Sequence, residues 1–323
     1  MSPPHSDDAA ALALPHRAII LGAIDYLCRQ VLQGKCHTVH QAMIALLAGG
    51  HLLLEDMPGL GKTTLALALA RILGLSYGRV QCTSDLLPSD ITGLSVYDRR
   101  ESSFRFVPGP IFNQVVLVDE INRAMPKTQS ALLEAMEEQQ VTVEGKTYPL
   151  PHPFLVIATQ NPVEMVGTYP LPESQLDRFL LTCGLGYPPA EVERAIFRHG
   201  SAREDVQRLE AMLTAEQILA ARASVREDVH LGDAVADYLY RLVDASRNHP
   251  LLLAGLSTRG GISLADAARA RAWLEGRRFV VPEDVQAEAM AVGAHRLLLR
   301  EEGSARRKDL LRAILQDVPV PRG

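Results

Sequence analysis

The sequence predicts an α/β fold, a parallel sheet packed between helices, with a helical region after it. Three observations predict this. The segment Met57-Pro58-Gly59-Leu60-Gly61-Lys62-Thr63-Thr64 lies between an apolar run (51–55) and a helix-forming run (65–71). That is the strand, loop and helix setting of a phosphate-binding loop. A second apolar run, 114–118, ends in Asp119-Glu120. Continuous apolar runs bounded by turn signals suit strands buried on both faces of a parallel sheet. From Ala190 onward the pattern is helical throughout.

Each element follows from local patterning. Residues 1–16, rich in Pro and Asp at first, are expected to be a flexible tail. Residues 17–32 carry Ile19, Ile20, Ala23, Ile24, Leu27 and Val31 on one side of a helix, and 38–48 form a second helix closed by Gly49-Gly50. The first strand, the phosphate loop and a helix over 62–73 come next, then a strand over 78–83. Residues 85–93 read as a short turn or helix. The runs 94–97 and 103–106 flank the polar Asp98-Arg99-Arg100-Glu101 and read as a hairpin. Beyond the acidic strand, 127–140 has an apolar side of Ala131, Leu132, Ala135 and Met136, and a second hairpin spans 141–150 around Glu144-Gly145-Lys146. Residues 154–159 and 179–183 complete the sheet, and Tyr187-Pro188-Pro189 reads as a hinge. Helices are expected over 190–199, 214–224, 231–247, 261–275, 282–294 and 304–316, with no internal repeat. The expected division is a tail at 1–16, a nucleotide-binding αβα domain at 17–187 and a helical lid at 188–323.

Composition narrows the function. The 323 residues hold 33 Lys and Arg against 38 Asp and Glu, a net charge of −5 without a basic tail, which argues against general nucleic-acid binding. No apolar run approaches the roughly 20 residues of a membrane span, and no secretory signal is visible. The four cysteines, Cys28, Cys36, Cys82 and Cys183, lack CxxC spacing and read as reduced thiols of a cytoplasmic protein. Cys36-His37-x-x-His40 admits a metal reading beside that of a loop and helix start.

The chemistry of the motifs is that of phosphoryl transfer. The loop glycines let backbone N–H groups converge on phosphate oxygens, and the following helix N-terminus adds partial positive charge. Pro58, Gly59, Leu60, Gly61, Lys62, Thr63 and Thr64 would cradle the nucleotide, with Lys62 on the β- and γ-phosphates and Thr63 on Mg²⁺. Asp119 would hold the Mg²⁺ shell, and Glu120 would polarise the attacking water. Three further residues each have two readings. Asn161 is either a turn residue before Pro162 or a hydrogen-bonding group for the γ-phosphate or lytic water. Arg178 and Arg259 are either surface charges or ligands of a transferring phosphoryl group.

Together these residues resemble the AAA+ ATPases, and within them the MoxR family. The resemblance spans about residues 17–318. It is carried by the stretch from Leu54 through Lys62-Thr63-Thr64 to Ala66, by Val118-Asp119-Glu120-Ile121-Asn122-Arg123-Ala124, by Ala158-Thr159-Gln160-Asn161-Pro162, and by the stretch from Gly167 through Leu171-Pro172-Glu173 to Asp177-Arg178-Phe179. It implies ATP and Mg²⁺ as cofactors and a Walker A loop in which Asp56 replaces the usual first glycine. It also implies a helix-2 insert hairpin and a pre-sensor-1 hairpin facing a central pore. The catalytic set it implies is Glu120 with Asn161 as sensor 1, Arg178 as arginine finger and Arg259 as sensor 2. The family's Gly-Gln signature before the first helix is altered here to Val31-Leu32-Gln33-Gly34-Lys35. Arg123 either faces a neighbouring subunit or makes a local salt bridge.

By the same resemblance the functional unit is a homo-oligomeric ring, a hexamer by family habit. Its work would be chaperone-like remodelling, assembly or metal-cofactor maturation of a client protein complex, with a von Willebrand factor A domain protein as partner. The alternative is a nucleic-acid motor or loader of the same clade. The hairpins disfavour it: the first tip carries Asp98-Arg99-Arg100 and the second only Lys146 beside Glu144, without a basic ring and aromatic stacking partners.

Overall fold

A computed structural model describes residues 14–161, 167–200, 206–301 and 306–321. The tail over 1–13, Pro162 and residues 304–305 of the last expected helix lie outside these ranges. The first helix, α1 (Arg17–Tyr26), buries Ile20, Ala23 and Ile24. It runs on as a π-helical turn, Leu27–Val31, where a plain helix to residue 32 is expected. The helix α2 (Cys36–Ala48) ends at Gly49, whose φ of 78° makes a left-handed cap. Next come β1 (Leu52–Glu55), the phosphate loop, α3 (Lys62–Ile72) and β2 (Tyr77–Gln81). The short helix α4 (Pro88–Thr92) leads into the antiparallel hairpin β3 (Gly93–Asp98) and β4 (Ser103–Pro108). After β5 (Val115–Asp119), Pro126 opens α5 (Pro126–Glu138), which passes into the second hairpin, β6 (Gln140–Val143) and β7 (Lys146–Pro149). The two hairpins touch: Phe106 of β4 stacks on Tyr148 of β7, ring centroids 4.1 Å apart and planes 17° from parallel. The strand β8 (Leu155–Gln160), the single turn α6 (Glu173–Leu176) and β9 (Leu181–Cys183) follow.

Among the described residues, five strands form one sheet in the order β2-β5-β8-β1-β9, and every neighbouring pair is parallel. Alternate strand residues face opposite layers, as the pleat requires. Leu52, Leu54, Val115, Leu117, Leu155 and Ile157 belong to one apolar core, while Leu53, Val116, Val118, Val156 and Ala158 belong to the other. Both faces are therefore covered, which is why these strands read as unbroken apolar runs.

The remaining helices are α7 (Ala190–His199), α8 (Ala215–Asp228), α9 (Asp233–Arg247), α10 (Thr258–Leu274), α11 (Pro282–Gly293) and α12 (Arg307–Asp317). Thr214 and Gln217 form a capping box on α8, and the Ser257 hydroxyl caps α10. This region is not wholly helical: β10 (Leu252–Ala254) pairs with β11 (Leu298–Leu299). Its core, with Tyr238 and Trp273 fully buried, is continuous with the sheet face that carries Leu52.

The cysteines correct the sequence reading. Cys28 and Cys36 form a disulfide, because the π-helical turn and the start of α2 bring their Cα atoms to 4.9 Å, within bridging range. The bond removes one of the supports for a cytoplasmic location. Cys36, Cys28 and His40 cluster, but paired sulfurs offer no thiolate to a metal. Burial pushes the Cys82 and Cys183 thiols up to about 12. No described helix is long and apolar enough to cross a membrane.

Candidate active site

The carboxyl ends of the sheet strands gather the first set of candidate residues. Between β1 and α3 the chain makes a tight loop in which Gly59 and Gly61 have φ of 85° and 97°. A Cβ at either position would meet nothing within 4 Å, so it is the left-handed backbone that requires glycine. Consecutive N–H groups thereby turn toward the N-terminus of α3 and form an anion cradle. Lys62, the first residue of α3, donates from Nζ to the Asp56 carbonyl at 2.5 Å. Burial lowers its pKa, opposed by the nearby carboxylates of Asp56, Asp119 and Glu120. Thr63 follows it on the first turn of the same helix.

Asp119 closes β5, which lies between β2 and β8. Its carboxylate, 11% exposed, accepts from Arg79 at 2.8 Å. Glu120 is one step further on, where φ is 56° and ψ 51°. That left-handed conformation costs a non-glycine residue on the order of 1–3 kcal/mol and is typical of functional positions. It is held there by Thr159, whose hydroxyl accepts the Glu120 N–H at 2.9 Å. The Glu120 carboxylate meets Arg123 at 3.0 Å, so Arg123 makes a local ion pair. Gln81 approaches the same carboxylate at 3.5 Å. Asn161 follows β8, which pairs with both β1 and β5. The structure thus brings Lys62, Thr63, Asp119, Glu120 and Asn161 to one edge of the sheet.

Arg178 and Arg259 lie elsewhere. Arg178 precedes β9, and all strands of the sheet run the same way, so it sits at the amino edge. Its Nε meets Glu137 Oε2 at 3.1 Å, and Arg259 Nη1, on the first turn of α10, meets the other oxygen at 3.0 Å. A cleft of about 210 Å³ opens beside them, lined also by His51, Asp177 and Arg296. A four-residue strand spans roughly 13 Å, which separates this pair from the phosphate loop of the same chain. Nearby, Arg296 is the seam between lid and sheet. Its side chain is 2% exposed and binds Asp177 at 2.6 Å and the Phe179 carbonyl at 2.8 Å.

Sequence reasoning missed several supporting residues. Asp56 does more than replace a glycine: its carboxylate accepts the N–H groups of Leu185 and, at 3.3 Å, Gly186. Lys35 donates to the carbonyls of the same two residues, at 3.1 Å for Leu185. Thr38 holds the Gly184 carbonyl at 2.8 Å. The segment leaving β9 is therefore fastened to the phosphate loop and to the start of α2. Arg79, Thr159 and Glu137 were also unmarked; their signals are tertiary and leave no spacing in the chain.

These residues fit Mg-ATP. The glycine loop is a cradle for phosphate oxygens, Lys62 supplies an ammonium, and Thr63 with Asp119 supplies the hard oxygen donors that suit Mg²⁺. Sheet order, phosphate loop, acidic strand end and helical lid together define a P-loop ATPase of the AAA+ class. The family model described as "ATPase family associated with various cellular activities (AAA)" matches residues 51–181, and an AAA lid domain model matches 244–317. An uncharacterised Bacillus subtilis protein, YeaC, is 44% identical over 93% of this chain and 94% of its own length. The chaperone MoxR1 of Mycobacterium tuberculosis is 37% identical over 91% of this chain and 80% of its own, and protein MoxR of Paracoccus denitrificans 34% over 90% and 93%. A crystal structure assigned as an ATPase from Cytophaga hutchinsonii superposes with a TM-score of 0.88 at 35% identity, covering 98% of this chain and 99% of the other. An MCM homologue from Methanopyrus kandleri shares the fold alone, with a TM-score of 0.57 at 18% identity and coverage of 98% and 63%. The chain belongs to the MoxR family of AAA+ ATPases.

Proposed function

We propose that this chain hydrolyses Mg-ATP at sites shared between neighbouring subunits of a ring. The energy is coupled to chaperone-like remodelling or maturation of a client protein complex, with a von Willebrand factor A domain protein as partner. In this reading the nucleotide-binding body ends near residue 187 and the lid begins at 188. The observation that carries it is the separation of the candidate residues onto opposite edges of one parallel sheet. Lys62 and the loop N–H groups bind and orient the phosphates at the carboxyl edge. Thr63 and Asp119 would hold Mg²⁺, which would supply charge neutralisation to the phosphates. Glu120 aligns water and takes its proton, and Asn161 hydrogen-bonds the γ-phosphate or that water. Arg178 and Arg259, at the amino edge, reach a nucleotide held by the adjoining subunit. An arginine supplied in trans is worth about 10³–10⁵ in rate. The chaperone description is taken from MoxR1 by kinship.

Mixed rings test the shared site. Arg178→Ala and Glu120→Gln rings should each bind ATP and each hydrolyse poorly, Glu120→Gln by at least about a hundredfold. Mixed together, some interfaces unite an intact Glu120 with an intact Arg178, and activity should return. Subunit exchange, verified by native mass measurement, without any recovery would refute the shared site.

A further inference from the structure

We propose that Glu137 is a positioning residue that holds Arg178 and Arg259 together as one fork for the neighbouring subunit's γ-phosphate. The inference rests on the shared-site reading above and adds a residue to it. The two oxygens of Glu137 are divided between two arginines from different parts of the fold. Oε2 takes Arg178 Nε from the approach to β9 at 3.1 Å, and Oε1 takes Arg259 Nη1 from the lid at 3.0 Å. A guanidinium has five N–H donors, and Glu137 engages each arginine through its own oxygen, which fixes the planes while leaving further donors on each fork.

The location of the carboxylate argues against an incidental surface pair. Glu137 lies in the last turn of α5, and that turn has no basic residue. Helix carbonyls already make that end negative, so a carboxylate there is disfavoured unless cations face it. Two face it here, and neither belongs to α5. At 35% exposure Glu137 is partly withdrawn from solvent, as is Arg178 at 28%, so screening is incomplete. Without Glu137 the two arginines carry like charge at close quarters and separate. A displacement of about 1 Å from productive geometry can cost on the order of 10²-fold in rate. Because Arg259 lies on the first turn of α10 and Arg178 on the approach to β9, Glu137 also makes the lid arginine and the sheet arginine arrive together.

The test uses Glu137→Ala and Glu137→Gln in the assembled ring, the second keeping side-chain volume should the first fold poorly. Both are expected to keep ATP affinity within about twofold while kcat falls about 10- to 100-fold, the split expected of groups that act only in the transition state. Each is then mixed with Glu120→Gln subunits, whose arginines and Glu137 are intact. Activity should return, since the defective Glu137 subunit still offers its own Glu120 to a neighbour with a complete fork. Two results would overturn the proposal: wild-type kcat in both Glu137 variants, or a deficit that Glu120→Gln subunits do not repair although they repair Arg178→Ala. Should Arg178→Ala also go unrepaired after confirmed exchange, the shared site itself falls, and this inference with it.

Discussion

His51 immediately precedes β1, and its protonation is fixed by its partners. Nδ1 accepts the Val156 N–H at 3.0 Å, so Nε2 carries the proton and faces the Met136 carbonyl at 3.3 Å. Burial lowers its pKa to about 4. His295, buried at the seam with Arg296, is lowered in the same direction, first by burial and then by that guanidinium. A folded pKa below the unfolded 6.5 means that the unfolded chain binds the extra proton first. Stability is then complete above pH 6.5 and is lost as pH falls through the window from 6.5 to about 4. For His51 that window corresponds to on the order of 3 kcal/mol. We expect the melting temperature to drop across it, and His51→Gln, which can still accept and donate, to have a shallower slope; thermal melts at half-unit pH steps would reveal the difference, and parallel slopes would clear His51 of the effect. The residues of the phosphate loop and acidic strand were legible because type and spacing define them locally. His51, Glu137 and Arg79 were not, since their meaning lies in partners brought by other elements.

At the scale of elements, the sheet was legible for a physical reason: strands covered on both faces read as unbroken apolar runs, as residues 115–118 of β5 and 155–158 of β8 do before their polar carboxyl ends. The hairpins were legible from alternation around polar tips. The π-helical turn was not, because one extra residue per turn leaves the apolar pattern of a helix nearly unchanged. Nor were β10 and β11, which are too short to show a period. The fastening of the phosphate loop to the segment after β9 leads to a prediction. Asp56→Ala removes the acceptor of the Leu185 and Gly186 N–H groups, a charge-assisted interaction worth about 1.5–3 kcal/mol. Hydrogen exchange at 185–186 should quicken, and ATP affinity should fall about tenfold, with Asp56→Asn intermediate. Exchange as slow as in the parent would mean that Lys35 and Thr38 alone secure the segment.

For the whole molecule, if the site is shared as proposed above, the contact gives arginines at one edge and receives them at the other; it is heterologous, head to tail, and such contacts close into rings or run on as filaments. A lone subunit then has no complete site. Specific ATPase activity should be low in dilute protein and rise steeply with concentration in step with assembly followed by light scattering. A flat specific activity across that range would place every needed group within one subunit.

One more property of α5 emerges from this arrangement. Its thirteen residues make a rod about 20 Å long. It begins just past the turn Ile121–Arg123 that follows Glu120, and its last turn carries Glu137. Immediately beyond, Gln139 turns left-handed into β6, and Tyr148 of that ribbon stacks on Phe106 of the other. In a ring with shared sites, one end of this rod feels the subunit's own nucleotide and the other its neighbour's, with both ribbons bolted at the far end. On the shared-site proposal, a helix of this length would tie the position of the residues after Glu120 to that of Glu137 and of the paired ribbons, so a shift at one nucleotide would be felt at the next.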